Sequence, residues 1–117
     1  MATRGKQFDV PDEIELLEFF GVDPIERSIE DGYWCYEIED ERGVRLRLSF
    51  NIYERSVQTM LSSAGGVVAT VSHEGADRML LRDGKVRCEF SLADSRASLA
   101  IEIGRSLSVV WSTLRVQ

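Results

Sequence analysis

Nine residues, from Val44 to Ile52, constrain the fold of this chain more than any other stretch. They read VRLRLSFNI, so that apolar side chains alternate with polar ones. A period of two gives a strand one apolar and one polar face, whereas a helix would scatter the same apolar residues around its axis. The pattern therefore predicts a β-strand that packs one face on a core.

Strand-like patterns continue on both sides of this segment. Upstream, residues 33–39 place Trp34, Tyr36 and Ile38 on one predicted face. Downstream, Val57 to Leu61 alternates again, and Val67 to His73 is rich in β-branched residues. If the first two strands are antiparallel, Glu37 and Glu39 lie near Arg45 and Arg47 as cross-strand partners of opposite charge.

The dipeptide Asp83-Gly84 predicts a tight hairpin, because it stands between two alternating runs and suits a two-residue turn. A two-residue loop determines which residues of the two strands lie opposite each other. Leu81 then faces Val86, Met79 faces Cys88, Asp77 faces Phe90 and Arg78 faces Glu89.

The N-terminal part of the chain predicts one helix over residues 11–20. Pro11 suits its first turn, and the acids of that turn favour the positive end of the helix dipole. Gly21 and Pro24 end it. Its apolar stripe is expected to face the core, with Phe19 partly exposed beside Asp12 and Glu15; the stripe consists of Ile14, Leu16, Leu17 and Phe20.

These elements together predict a mainly β protein, with the helix followed by about eight short antiparallel strands over residues 33–116. An antiparallel β-sandwich is favoured, and a partly closed barrel is the alternative. Residues 1–8 are expected to form a flexible tail and residues 23–32 a loop. The length of 117 residues suits a single domain spanning 1–117.

No apolar run is long enough to cross a bilayer, and no secretory signal follows the charged N-terminus. A cytoplasmic protein without membrane contact is expected. Cys35 and Cys88, the two cysteines, lack a CxxC pattern and are expected to be free, small, buried thiols in a reducing compartment.

The charge of the chain is unevenly distributed. Residues 9–41 carry thirteen acids and one base, Arg27, whereas residues 42–117 carry eleven bases and seven acids. Two interpretations stay open: the acids pair internally with the arginines of the sheet, or they form a patch that attracts a basic protein partner. Nucleic-acid binding is disfavoured, because no basic cluster with interleaved aromatics is present.

Few residues suggest catalysis. His73, the one histidine, stands beside Glu74 and near Asp77, which raises the alternative of a hydrolase-like enzyme, but a strand-end residue is the simpler interpretation. No metal or cofactor is expected, and no catalytic residue is assigned. Asp40 and the other turn acids do not converge on a calcium site in a simple meander. A small-molecule pocket lined by Trp34, Trp111 and other aromatics is a further alternative.

Two segments together carry a family resemblance. Residues 16–24 read LLEFFGVDP, and residues 43–50 read GVRLRLSF after an intervening strand. This pattern resembles small β-rich bacterial immunity proteins of polymorphic toxin systems, and uncharacterised bacterial proteins of similar size. The resemblance covers about the first half of the chain. It implies a cytoplasmic, non-catalytic protein that binds and blocks a cognate toxin, and it implies no particular site residues.

The favoured hypothesis is therefore a non-catalytic protein-binding module with an acidic N-terminal surface. Asp12, Glu15 and Phe19 are the candidate partner-binding residues, since they combine an aromatic anchor with surrounding negative charge.

Overall fold

A computed structural model describes residues 7–115 of the chain, as one helix followed by nine strands. The helix is α1 (Glu13–Phe20), and the strands in chain order are β1 (Glu26–Ser28), β2 (Tyr33–Glu39), β3 (Arg45–Asn51), β4 (Ser56–Ser63), β5 (Gly66–Glu74), β6 (Ala76–Arg82), β7 (Lys85–Leu92), β8 (Ser95–Glu102) and β9 (Ser108–Arg115).

The strands form two antiparallel sheets, which confirms the predicted β-sandwich. The first sheet has the order β1-β2-β3-β4-β5 and the second the order β6-β7-β8-β9. Within residues 7–115 the two sheets do not close into a barrel. The chain passes from one sheet to the other at Gly75, whose φ of 80° favours glycine and whose carbonyl accepts a hydrogen bond from the Ser91 N–H at 3.0 Å. A Cβ there would lie 2.7 Å from the Ser91 carbonyl oxygen.

The additional strand is β1, in the segment predicted to be a loop. Its three residues, Glu26, Arg27 and Ser28, show no apolar alternation, so periodicity gave no signal for them. They form a strand because they pair with the edge of β2, with Arg27 opposite Trp34. Tertiary pairing therefore creates this element.

The predicted strand registers are largely correct. Glu37 lies opposite Arg47 and Glu39 opposite Arg45, as expected. The Asp83-Gly84 hairpin has both residues at positive φ, 55° and 72°, as a type I′ turn requires. One pair is wrong: Phe90 faces Ala76, because a bulge shifts the register between Ala76 and Arg78.

The core lies between the two sheets and under the helix. Tyr36 and Phe50 stack from neighbouring strands with ring centroids 6.4 Å apart. The largest fully buried side chains come from both sheets and from α1; they include Tyr36, Phe50, Phe90, Leu16, Leu46, Leu48, Leu99 and Ile101. Burial of these alternating residues supplies the main stabilisation, at roughly 25 cal/mol per Å² of apolar surface removed from water.

The N-terminal segment belongs to the core at Phe8. Residues 1–6 of the predicted tail lie outside the described residues. Phe8 is only 5% exposed and packs edge-on against Phe50, with centroids 6.3 Å apart. Asp9 forms a parallel bridge with Arg78 on β6. The prediction of a flexible tail is therefore wrong for Phe8, which is buried like a core residue.

One buried carboxylate connects the two sheets. The side chain of Asp40, in the turn after β2, is 0% exposed. Its Oδ1 accepts from the backbone N–H groups of Arg42 and Val44, at 2.9 and 3.0 Å. Its Oδ2 accepts from the Leu107 N–H at 2.9 Å. Since Leu107 precedes β9, Asp40 joins the β2–β3 turn of the first sheet to a loop of the second.

The two cysteines are buried free thiols, as predicted. Burial raises the pKa of Cys88 to about 12 and also raises the pKa of Cys35. Both groups are therefore protonated at neutral pH, which makes them poor nucleophiles and poor metal ligands.

No helix in the described part of the chain is both long and apolar enough to span a bilayer.

Candidate protein-binding surface

Helix α1 begins with a capping box. Asp12, the residue before the helix, accepts a bond from the Glu15 N–H at 2.8 Å, and Glu15 accepts one from the Asp12 N–H at 3.2 Å. The helix therefore begins at Glu13, later than predicted, and Pro11 lies outside it. Gly21 ends it in the left-handed conformation, with a φ of 72°. Both ends are fixed, so the exposed face of α1 has a defined position.

Helix α1 buries only part of its predicted apolar stripe against the core. Leu16 and Phe20 are buried, as expected, but Ile14 is 69% and Leu17 43% exposed. Phe19 is half-buried and packs edge-on against Phe20 at 5.3 Å. The outward side of α1 therefore carries an exposed isoleucine among acids. We call Asp12, Ile14, Glu15, Glu18 and Phe19 the acidic helix face.

Glu13 attaches α1 to the first sheet. Its Oε2 accepts a hydrogen bond from the Trp34 indole N–H at 3.2 Å, and the same oxygen lies 3.1 Å from Arg27 Nε. Trp34 in turn stacks on Phe50 at 5.7 Å. Through these contacts the acidic helix face is fixed relative to β1 and β2.

The segment after the helix has the same mixed character. Val22, Ile25 and Ile29 are 39%, 46% and 55% exposed. Several exposed acids lie among them and on the helix, and these form no ion pair within residues 7–115; they are Glu18, Asp23, Glu26 and Glu30. A group of exposed apolar side chains rimmed by polar groups marks a candidate protein-binding surface.

Other acids of the N-terminal third pair internally. Glu37 and Arg47 lie 3.3 Å apart, Glu39 and Arg45 3.7 Å, on the outer face of the first sheet. Asp40 is buried in its turn. Internal pairing therefore holds along β2 and β3 and between Glu13 and Arg27, whereas Glu18 on α1 and Glu26 on β1 form no ion pair within residues 7–115.

A depression of about 450 Å³ adjoins the acidic helix face. Asp12, Glu13 and Ile14 form one side of it, and Trp34 lies in its lining. It opens at the surface, and Trp111 is not among its lining residues. A second depression, of about 380 Å³, lies on the second sheet among polar residues such as Glu89 and Ser98. Neither has both tryptophans in its lining, as the predicted ligand pocket would.

His73 contacts aromatic rings: its ring stacks on Trp111 at 5.8 Å and lies 5.1 Å from Phe90. Of its two candidate acidic partners, Glu74 lies against it through the backbone, with 3.3 Å between His73 Nδ1 and the Glu74 carbonyl oxygen, and Asp77 accepts a hydrogen bond from Arg55 at 2.9 Å. Residues 7–115 contain no group of three or more His, Cys, Asp or Glu that could hold a metal ion.

One buried hydroxyl lies beneath this surface. Tyr36 is 0% exposed, and its hydroxyl has no hydrogen-bond partner within residues 7–115. Burial raises the pKa of Tyr36, with a smaller contribution from Glu13. An unpaired buried hydroxyl costs stability, because it has lost water without gaining a partner.

We therefore expect Tyr36→Phe to raise the free energy of unfolding by about 1 kcal/mol. Urea unfolding of the two proteins measures the difference. Tyr53→Phe is the control, since Tyr53 is 68% exposed and should show no change. A loss of stability in the Tyr36 variant would mean that the hydroxyl does make a bond in solution.

The fold and the surface together define a class: a two-sheet antiparallel β-sandwich with a capped N-terminal helix on one sheet. No family model matches the sequence, and no curated protein matches it. One solved structure does share the fold. It is a chain of the contact-dependent growth inhibition toxin–immunity protein complex from Klebsiella pneumoniae 342, with a TM-score of 0.81.

That similarity covers 91% of this chain and 96% of the other, at 19% sequence identity. It therefore extends over most of the chain and is a likeness of fold. The resemblance to immunity proteins of toxin systems, which the sequence indicated from its first half, is confirmed at this level.

Proposed function

We propose that this chain is a non-catalytic inhibitor of the immunity type, which binds a basic protein toxin through the acidic helix face. The observation that carries the proposal is the exposed Ile14, at 69%, on the same face of α1 as Glu18, which forms no ion pair within residues 7–115. The shared fold with a chain of a toxin–immunity complex supports the same role. A cytoplasmic location is part of the proposal.

The chemistry of this face suits a basic protein partner. Unpaired carboxylates on and around α1 attract cationic side chains over a distance of about one Debye length, roughly 8 Å at physiological salt. Ile14 and the half-buried Phe19 then offer apolar surface for close contact. The adjoining 450 Å³ depression is of a size to receive one large side chain of the partner.

A capture experiment tests the functional proposal. The full chain is immobilised, exposed to native cell extract at low salt, and eluted with rising salt. We expect one basic protein at equal stoichiometry, which arrests growth when produced alone and loses that effect when this chain is co-produced. A captured protein with no toxic effect, or no protein captured at low salt, would contradict the proposal.

The roles of Asp12 and Glu15 need a variant that removes charge and keeps the capping box. Asn is a good N-cap and Gln can replace Glu in the box, so Asp12→Asn with Glu15→Gln should leave the helix folded. We expect association with the captured partner to slow by about 10-fold at low salt. The difference should vanish at 1 M salt, where screening acts within about 3 Å.

Stopped-flow mixing with the partner, at both salt concentrations, measures these rates. Circular dichroism establishes that the helix is retained. Association as fast as that of the unchanged protein at low salt would remove Asp12 and Glu15 from the proposed interface.

A further inference from the structure

The other edge of the first sheet is an unprotected strand. β5 pairs with β4 on one side, and within residues 7–115 it has no partner strand on the other. Nearly all of its residues are exposed, with Val67 at 62% and Val68 at 71%. Natural proteins usually protect such edges with charges, proline, bulges or short length, and β5 has one register shift, at Val68 near its start. β5 has nine residues and no proline.

Charge is also absent from this edge. No Asp, Glu, Lys or Arg stands between Arg55 and Glu74, so both β4 and β5 are uncharged up to the last residue of β5. Within residues 7–115, Glu18 on α1 and Glu26 on β1 form no ion pair, and β1 is the opposite edge strand of the same sheet. Four strand spacings separate the two edges, roughly 19 Å.

We propose that β5 pairs with β5 of a second copy of this chain, antiparallel and centred on Val71, so that two five-stranded sheets join. A strand pairs with its own copy in this way about a two-fold axis, and the free backbone N–H groups of each copy donate to the free C=O groups of the other. A second copy fits because the chain is net −6 overall and yet has an edge without charge. Approach along this edge keeps the two acidic surfaces far apart.

Centring the pair on Val71 also gives compatible side-chain neighbours. Thr70 of one copy then lies opposite Ser72 of the other on the outer face, and Thr–Ser pairs stabilise antiparallel strands. No two like charges oppose each other, because Glu74 lies opposite Val68. Val68 has no partner in β4, since the register shifts beside Leu61 and Ser62. The regular part of the edge is therefore Ala69 to Glu74.

Two charged double variants test the pairing. Thr70→Lys with Ser72→Lys sets lysines opposite lysines across the two-fold axis, and Thr70→Glu with Ser72→Glu does the same with acids. Sedimentation velocity over a concentration series measures association. We expect the unchanged chain to dimerise, each variant to have a dimer Kd raised at least 100-fold, and an equimolar mixture of the two variants to re-form dimers.

The control carries the same charges on the edge strand of the second sheet, as Val110→Lys with Ser112→Lys, and should dimerise as the unchanged chain does. The mixture shows that both β5 variants remain folded and able to pair. A monomeric unchanged chain at every concentration, a lysine variant of β5 that still dimerises, or a mixture that stays monomeric would each overturn the proposal.

Binding of the captured toxin is measured on the same variants. We expect the monomeric β5 variants to bind it with unchanged affinity, because α1 and β1 lie at the other edge. If the unchanged chain is monomeric and the β5 variants lose the toxin, the strand at this edge comes from the toxin and the self-pairing is wrong. Failure of the toxin proposal alone leaves the dimer result unaffected.

Discussion

Replacing Ile14 and Glu18 by lysine is expected to weaken binding of the toxin partner by at least about 100-fold, with the fold unchanged. The two residues are four apart and share one exposed strip of α1. The double change removes an apolar contact and replaces negative with positive charge against a basic partner. A loss of 100-fold corresponds to about 2.7 kcal/mol, which is within the range of interface hot spots.

Stability should change by less than about 0.5 kcal/mol, because both positions are exposed and lysine is a good helix former. A lysine at position 18 also lies near the negative end of the helix dipole. Isothermal titration with the captured partner measures the binding loss, and thermal unfolding measures the stability.

The matched control is Leu114→Lys with Asp94→Lys, on the second sheet. Leu114 is 68% exposed, and Asp94 is an exposed turn residue without an ion pair among residues 7–115. The control therefore loses one exposed apolar side chain and gains the same amount of positive charge as the variant of Ile14 and Glu18. The control should bind with nearly unchanged affinity. Equal losses in both variants would show that only overall charge matters, and no loss in either would exclude α1.

Asp40→Asn is expected to lower the thermal unfolding midpoint by about 5 °C or more. Asparagine keeps the size of the side chain and one acceptor oxygen, which can retain the bonds from Arg42 and Val44. Its amide nitrogen then faces the Leu107 N–H, where a donor meets a donor. The variant therefore loses one of the hydrogen bonds between the two sheets.

The pH dependence of this effect follows from the pKa of Asp40. Hydrogen bonds from the backbone, that of Leu107 first, lower this pKa below its ordinary value of 3.8. Because the folded pKa is depressed, the contribution of the carboxylate is present above pH 3.8 and is lost as the pH falls through the folded pKa.

The difference between the unchanged protein and Asp40→Asn should therefore be constant from pH 7 to about pH 5, and it should narrow only below the ordinary pKa. Urea midpoints at pH 7, 5, 4 and 3 measure it, and the other carboxylates cancel in the comparison. A difference that stays constant down to pH 3 would mean that protonation of Asp40 does not break these bonds.

The alternation of residues 44–52 and the Asp83-Gly84 turn predicted the sheets correctly, because both signals are local. Period two is a property of a strand with one buried face, and a type I′ turn depends on two residues. The alternation of two antiparallel strands also predicted the pairing of Glu37 with Arg47. Buried thiols and the antiparallel sandwich also followed from composition and spacing.

For helix α1, the sequence pattern did not predict which apolar residues are buried. Ile14, Leu16, Leu17 and Phe20 all fit an apolar stripe, yet the packing of α1 buries only Leu16 and Phe20. Which part of a wide stripe faces the core depends on the partner surface, here Tyr36 and Trp34, and no signal within α1 specifies that. The exposed Ile14, on which the proposed interface depends, was therefore missed from the sequence.

The sequence by itself determined the strands, the hairpin register and the uneven charge, because each depends on neighbours along the chain. Only the tertiary structure decided that β1 exists, that Asp40 joins the sheets and that α1 leaves Ile14 in solvent. Each of these depends on contacts with another segment of the chain, since pairing with β2, bonding to Leu107 and packing on the first sheet arise only once the chain has folded.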